Sequence, residues 1–315
     1  MKIVSYLSIV ALLFVACSKD GTETPSDTSQ GTVPATPSAT PTPNSELTEV
    51  ANFTNDDNHK ISIKTFNGKL YVGYNDIYVT ITDASGNVLK PEKITFSPMM
   101  RMYKEAGNRN EISFSHSCPH TADLASVSEN RYRGYAIFQM NTGDTGHWDV
   151  SFSYTLSGKE YQIQEKEVTI LAQPKNHHLK VKRFIGKDNA TYILALISPL
   201  EHVNGKNPNV VAGLFKAETM MSFPLVKGFT LNLDPRMPGA DMRNHSTPFE
   251  DFKEQADGFH TATINYSMTG YWELNFIIKN SSGEVIAGTE VPKTPKTPAE
   301  YDAVSELSLR IDIER

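Results

Sequence analysis

The sequence predicts an all-β protein whose folded part consists of two tandem β-sandwiches. Segments rich in β-branched and aromatic residues alternate between apolar and polar positions, as in residues 148–154 and 272–278. Turn-forming residues separate these segments at short intervals, for example at 83–87 and 156–159. A motif that occurs twice indicates that one domain has been duplicated. Strands at this spacing, without a convincing helical pattern, are typical of sheets that pack face to face.

The strand pattern divides the folded part into two halves. The predicted strands of the first half are 71–74, 76–82, 93–96, 135–140, 148–154 and 168–171. Those of the second half are 179–184, 191–197, 210–215, 228–233, 261–266, 272–278 and 307–313. The boundary falls near residues 173–176, which gives predicted domains of 49–174 and 175–315.

The N-terminal segment has the pattern of a targeting signal. Lys2 precedes an apolar run over residues 3–15, which is too short to cross a bilayer as a permanent helix. Ala16 and Cys17 then resemble the lipobox of bacterial lipoproteins, which implies a signal peptide over 1–16 and lipidation of Cys17. The resemblance implies a protein of the bacterial cell envelope that is anchored to a membrane, the outer one, through lipid. Residues 17–48 are rich in Thr, Pro and Ser and are predicted to be a disordered tether.

Composition and motifs exclude several classes of function. The formal net charge is −6 and the pI is about 5.9, and no cluster of Lys and Arg suggests a nucleic-acid surface. The sequence contains no phosphate loop, dinucleotide fingerprint or nucleophile elbow. No nucleophile–base pair or paired carboxylates can be assembled from it, so we do not expect an enzyme. With Cys17 lipidated, Cys118 is the only other cysteine, and an intramolecular disulfide is excluded.

The duplicated motif contains methionine, histidine and tryptophan in the same order in both halves. His245 follows His116 by 129 positions, and Trp272 follows Trp148 by 124 positions. Thioether and imidazole groups are ligands that monovalent copper prefers. The motif therefore predicts a Cu(I) site in each half.

The first candidate site has five predicted ligands: Met100, Met102, His116, Cys118 and His120. Alternate side chains of an extended segment point to the same side. Met100 and Met102 would therefore lie on one side of their segment, and the three predicted ligands within 116–120 on one side of theirs. A thiolate beside two imidazoles would suit copper or zinc. The alternative interpretation is that the methionines fill gaps in a core and that the cysteine is a small buried apolar residue.

The second candidate site has Met237, Met242 and His245 as predicted ligands. Thr247 stands where the first copy has its cysteine, which favours copper over zinc in this half. The polar surroundings of Met242 predict a loop, and the alternative is a loop methionine without a ligand role. We expect Met268, like Met140 in the first half, to lie in the core beside the tryptophan.

The order of these motifs resembles YtkA-like and FixH-like domains of bacterial envelope proteins. The similar residues span about 49–160 and 178–290, and the second copy fits best, through 235–238, His245 and 268–272. The resemblance implies immunoglobulin-like β-sandwiches and an association with copper. Two functions follow as expectations. One is an envelope lipoprotein that binds or passes copper without catalysis; the other is a metal-free surface adhesion or complex-assembly module with a protein partner in the envelope.

Overall fold

The computed structural model describes residues 46–128, 130–174 and 178–314.

The first sandwich is built from strands between residues 48 and 171. In chain order the strands are β1 (Thr48–Thr54), β2 (Lys60–Thr65), β3 (Leu70–Tyr71), β4 (Gly73–Thr82), β5 (Val88–Leu89), β6 (Lys93–Tyr103), β7 (Ile112–His116), β8 (Ala125–Ser128), β9 (Arg131–Phe138), β10 (Gly146–Leu156), β11 (Lys159–Val168) and β12 (Ile170–Leu171).

These strands form two main sheets that enclose one core. The first has the order β1-β2-β4-β9-β8, with β5 on β4, and the second has the order β11-β10-β6-β7. A short parallel pair, β3 with β12, lies beside them. The inward positions of both main sheets supply buried aromatic and aliphatic side chains, among them Ile61, Phe96, Phe138, Trp148 and Phe152.

The second sandwich is built from strands between residues 181 and 313. In chain order its elements are β13 (Val181–Ile185), β14 (Thr191–Ser198), β15 (Gly205–Lys216), β16 (Thr230–Met237), β17 (His245–Ser246), β18 (Lys253–Glu254), β19 (His260–Tyr266), β20 (Gly270–Lys279), β21 (Val285–Ala287), the one-turn helix α1 (Pro298–Tyr301) and β22 (Ser308–Ile313). Its sheets have the orders β13-β14-β15-β19-β18 and β17-β16-β20-β21, with β22 also on β20.

The two sandwiches share one sheet topology. The sequence β1-β2-β4-β9-β8 corresponds strand by strand to β13-β14-β15-β19-β18, and β11-β10-β6-β7 corresponds to β21-β20-β16-β17. Trp148 and Trp272 lie on corresponding strands, and both are fully buried. The prediction of two tandem all-β sandwiches is therefore confirmed.

The expectation that Met268 lies in the core is wrong. Its side chain is 41% exposed, whereas Met140 packs against the first core. What the two positions share is the backbone carbonyl. The indole N–H of Trp148 donates to the carbonyl of Met140 at 3.0 Å, and that of Trp272 donates to the carbonyl of Met268 at 3.1 Å. This bond satisfies the buried indole without using the methionine side chain.

The second sandwich differs from the first at the strand beside β20. In the first sandwich β11 pairs along most of β10. In the second, β21 pairs only with the end of β20, and β22 pairs with residues 270–275 of the same strand. Between β21 and β22 the chain leaves the sheet over residues 288–307, which we call the covering segment. It contains α1, whose N-cap Thr297 forms a capping box with Glu300.

The two sandwiches contact each other through a third apolar cluster. Tyr74 and Tyr135 on the outer face of the first sandwich pack with Ile193, Phe215 and other residues of the second. The strands involved are consequently buried on both faces, which explains the continuous apolar run of β14. The described residues belong to a single compact unit.

Several predicted features lie outside the described residues. These are the signal peptide, the lipidation site Cys17 and residues 17–45 of the predicted tether. Across the part of the chain that the structure describes, no helix combines the length and the apolar character needed to cross a membrane.

Candidate functional site

The first copy of the motif forms a row of three side chains across three strands. Met100 on β6 pairs with His116 on β7 and with Trp148 on β10. Met100 and Trp148 are fully buried, whereas His116 is half-buried. The imidazole ring of His116 packs edge-on against the indole of Trp148, with 5.9 Å between the ring centroids. The structure thus places two of the predicted ligands, Met100 and His116, side by side.

The second copy forms an equivalent row. Met237 on β16 pairs with His245 on β17. Arg236 pairs with Glu273, so the next residues of these antiparallel strands, Met237 and Trp272, are neighbours as well. The rings of His245 and Trp272 meet edge-on at 5.5 Å. We call each arrangement a His–Met–Trp row.

Each row depends on a glycine that leaves room for the methionine. A Cβ atom at Gly146 would lie 2.8 Å from Cε of Met100, and one at Gly270 would lie 3.0 Å from Cε of Met237. The methyl groups of both methionines therefore occupy space next to a bare backbone. Their close packing accounts for the burial of both methionines.

The two histidines present the same ring nitrogen. Nδ1 of His116 lies 2.8 Å from the carbonyl oxygen of Ser117, and Nδ1 of His245 lies 2.9 Å from that of Met242. A carbonyl only accepts hydrogen bonds, so Nδ1 donates in both cases. In the neutral ring Nε2 then keeps its lone pair, which is the arrangement of a histidine that can bind a metal.

Cys118 and His120 do not join the row of the first copy. Cys118 is fully buried in the first core, and burial raises the pKa of its thiol well above the ordinary value. His120 donates through Nδ1 to the carbonyl of Cys118 at 2.7 Å, and its ring packs edge-on against Phe96. Burial lowers the pKa of His120. The packing of both residues corresponds to the core interpretation.

Met102 and Met242 are half-buried and pack against the two cores. Met102 is the neighbour of Phe114 across β6 and β7, and it contacts the first core. Met242 belongs to the loop between β16 and β17, yet it contacts the second core. Within the described ranges, no three or more His, Cys, Asp or Glu side chains are grouped so that they could hold a metal ion. The predicted copper sites are thus reduced to the two rows.

A cleft in the second sandwich is the other candidate site. It has a volume of about 660 Å³ and lies on the outer face of the sheet that contains β16 and β20. Asn232, Asp234 and Arg236 alternate outward along β16 and form its floor, together with Asn275 and Ile277 of β20. The covering segment supplies one wall through residues 289–295.

Buried polar groups hold the covering segment over this floor. Asn275 donates to the carbonyl of Asp234 at 3.0 Å and accepts from the backbone N–H of Ser305 at 2.7 Å. Asn244, which is fully buried, donates to the carbonyls of Glu300 and Ala303 at 3.0 and 2.8 Å. Because buried bonds of this kind are costly to break, the wall of the cleft is preformed.

Three charged groups of the cleft are bonded to one another or to the backbone. Nε of Arg236 donates to Asp234 at 2.7 Å, and another of its nitrogens donates to the carbonyl of Asn244 at 3.1 Å. Asp251 accepts from the backbone N–H of Leu233 at 2.8 Å. Arg236 is only 5% exposed, so its charge is compensated at short range.

Sequence analysis did not identify this cleft. The outward polar positions of β16 were a usable signal, because Asn and Asp are depleted in strands. The covering segment gave a weaker signal, since the Pro, Lys and Thr residues of 291–298 have the composition of a linker.

Comparison with known proteins finds similarity among solved structures. No protein-family model matches the chain, and no curated protein matches it. The structure of FdeC, an Escherichia coli adhesin, is similar to this chain with 11% sequence identity, a TM-score of 0.22 and coverage of 84% of this chain. The chain spans 66% of the length of that structure. A similarity at this identity and TM-score carries no functional argument.

Proposed function

We propose that this chain is a lipid-anchored, non-catalytic binding protein of the cell envelope, with a surface adhesion or complex-assembly role. The observation that carries the proposal is the cleft over β16 and β20, one wall of which is supplied by the covering segment of the second sandwich. The preformed wall and the polar floor are features of a site that recognises a ligand.

The apolar contact between the sandwiches supports the same role. Tyr74 and Tyr135 stack at 5.7 Å, and Phe259 of the second sandwich packs edge-on against Tyr135 at 6.2 Å. Ser117 also donates its backbone N–H to the carbonyl of Met220 across the junction at 2.8 Å. A binding site on such a pair keeps a fixed orientation relative to the first sandwich.

Cell attachment tests this proposal. Cells that produce the full chain should attach to immobilised surface material of host or neighbouring bacterial cells more strongly than cells without it. Attachment should fall when purified full chain is added as a competitor. The Cys17→Ser variant serves as the control, because it lacks the lipid acceptor and should confer no attachment. Equal attachment with and without the chain would refute the proposed adhesive role.

Copper binding is a second candidate function, favoured by the repetition of the His–Met–Trp row. Both rows hold a buried thioether beside an imidazole whose Nε2 has a lone pair, and monovalent copper takes both ligand types. The aromatic face of tryptophan also attracts cations. The first candidate ranks higher because Met100, Met237 and Cys118 already have complete packing in the cores.

Cu(I) titration of the full chain under reducing conditions tests this second function. If the rows bind copper, Met237→Leu with Met242→Leu should abolish one of two binding events. The free energy of unfolding should fall by less than about 1.5 kcal/mol, because Met and Leu have similar volumes. Met221→Leu is the control, since Met221 is exposed and belongs to neither row. A stoichiometry near zero would exclude copper binding, and one that the double replacement leaves unchanged would exclude copper at the second row.

A further inference from the structure

The floor of the cleft differs in its side chains from the equivalent face of the first sandwich. In the first sandwich Thr95 of β6 pairs with Ser153 of β10. The equivalent pair in the second sandwich is Asn232 of β16 with Ile277 of β20. Likewise Met99 pairs with Asp149 where Arg236 pairs with Glu273. On this face the second sandwich has the amide of Asn232 where the first has a hydroxyl group, and the guanidinium of Arg236 where the first has a thioether.

The charges around the cleft balance. Its lining includes three cationic side chains and three anionic ones, namely Arg236, Arg243, Lys293, Asp234, Asp251 and Glu290. The most buried cation, Arg236, is already paired with Asp234. A ligand with a large net charge would find no excess of opposite charge here. A nucleotide or an anionic polymer, which needs clustered cations, is disfavoured for this reason.

The geometry also disfavours an extended peptide and a purely apolar ligand. The floor is the face of a sheet rather than its edge, and at the edge of β16 the N–H of Leu233 is already bonded to Asp251, so a peptide in the cleft cannot add as a strand there. An apolar ligand would remove the amide of Asn232 from water without giving it a hydrogen-bond partner, which is unfavourable. The ligand must supply both donors and acceptors.

The remaining lining has the chemistry that a sugar ring requires. The amide of Asn232 and the hydroxyl groups of Thr289 and Thr294 are hydrogen-bonding groups for the hydroxyls of a sugar. Ser246 offers an acceptor only, because its hydroxyl donates to the carbonyl of Pro235 at 2.9 Å. Phe249 at the margin is 37% exposed, so one aromatic surface is open for stacking against the C–H face of a ring. The volume of about 660 Å³ lies within the range of small-ligand sites.

We propose that the cleft over β16 and β20 of the second sandwich binds a short, uncharged saccharide, held by Asn232 on the floor and stacked on Phe249 at the margin. The inference rests on the proposed binding function and names its ligand class. Hydroxyl groups of the saccharide bond to the amide and hydroxyl side chains, and the compensated charges reject sulfated and sialylated forms.

Binding of the detergent-purified full chain to an array of oligosaccharides tests this proposal. The array carries glycans that end in glucose, galactose, mannose or N-acetylglucosamine, together with sialylated and sulfated counterparts. We expect binding to one or more neutral glycans and weaker binding to their acidic counterparts. Titration calorimetry with the best neutral glycan then gives the affinity of each variant.

The variants Asn232→Ala and Phe249→Ala should each weaken binding by about tenfold or more, through the loss of hydrogen bonds or of ring stacking. The matched controls are Thr95→Ala, at the position equivalent to Asn232, and Phe114→Ala, an exposed aromatic of the first sandwich. Both should leave the affinity unchanged. Thermal unfolding of all four variants identifies any that fails to fold, and in that case Asn232→Asp and Phe249→Leu replace them with the same expectation.

The outcomes separate this inference from the proposed function. Absence of binding to every neutral glycan, preference for acidic glycans, or equal loss in the controls would overturn the saccharide assignment. If cell attachment persists in that case, the binding function stands with a ligand of another class. If neutral glycans bind but cells do not attach, the saccharide assignment stands and the adhesive role falls.

Discussion

Replacing Arg133 with methionine should lower the free energy of unfolding by about 3–5 kcal/mol, the cost of leaving a buried carboxylate without its partner. The carboxylate is Asp76 on β4, whose side chain is 3% exposed. Nε and a terminal nitrogen of Arg133 donate to its Oδ1 at 3.0 and 2.8 Å, and the hydroxyl of Tyr74 donates at 3.0 Å. Burial raises the pKa of Asp76, and the charge of Arg133 opposes that rise.

Urea unfolding of the full chain measures this effect. The control is Arg109→Met, which removes an exposed arginine paired with Glu167 and should cost no more than about 1 kcal/mol. The double variant Asp76→Leu with Arg133→Met should regain most of the loss, because it leaves no unpaired charge. An Arg133→Met variant as stable as Arg109→Met would show that Asp76 does not depend on its partner.

Acidification should reduce the difference between Arg133→Met and the unchanged protein. The folded-state pKa of Asp76 is raised above 3.8, so the folded protein takes up this proton at a higher pH than the unfolded chain does. Stability from this group is therefore fully present below about 3.8 and is lost as the pH rises through the folded-state pKa. Without Arg133 that pKa rises further, and the variant gains more from acid than the parent.

Replacing Gly288 with alanine should displace the covering segment and remove the cleft. Gly288 is the residue at which the chain leaves β21, and its φ is +89°. A Cβ atom there would lie 1.9 Å from the carbonyl oxygen of Phe276. A contact this short cannot be relieved by a side-chain rotation, because the obstacle is the backbone of β20, a strand of the second core. We expect a loss of about 3 kcal/mol or more, from steric conflict added to left-handed strain.

Hydrogen exchange shows whether the damage stays local. The N–H groups of Thr289 and Ser305, which are bonded to Ser305 Oγ and Asn275 in the parent, should lose protection in Gly288→Ala. Gly283→Ala is the matched control. Its φ is +81°, but a Cβ there meets nothing within 4 Å, so only the strain of about 1 kcal/mol applies. Equal protection in both variants would contradict the predicted displacement.

Strands with one buried face were predictable, and charged edge strands were not. Residues 148–154 and 272–278 lie within β10 and β20, because each carries a regular apolar face around a tryptophan. β11 was missed. Lys, Glu and Gln fill its outward positions, which an edge strand tolerates since those side chains remain in water. The edge strand β1 was missed as well. β2 was also missed, although it is an internal strand whose alternating Ile61 and Ile63 were a usable signal.

For the candidate sites, the order of residues in the sequence indicated which side chains are neighbours but not how deeply those side chains are buried. The spacing within each copy identified Met100 with His116 and Met237 with His245, and those pairs are adjacent in the sheets. Whether a methionine faces solvent or core depends on the opposite sheet, which has no signature in the motif. The cleft depends on contacts between residues far apart in sequence, such as Asn244 with Ala303, and these bonds have no local pattern.

The split between β21 and β22 has a consequence for how such proteins diversify. The edge strand beside β20 consists of two separate strands, β21 and β22. The covering segment connects them, and β22 then pairs with residues 270–275 of β20. Because an edge strand has a neighbour on one side only, an insertion in it breaks few inter-strand hydrogen bonds and leaves the central strands intact. In the first sandwich the corresponding edge strand, β11, is continuous. An insertion at the middle of β11, where the register already shifts opposite Val150 and Phe152, should therefore be accepted without loss of the core.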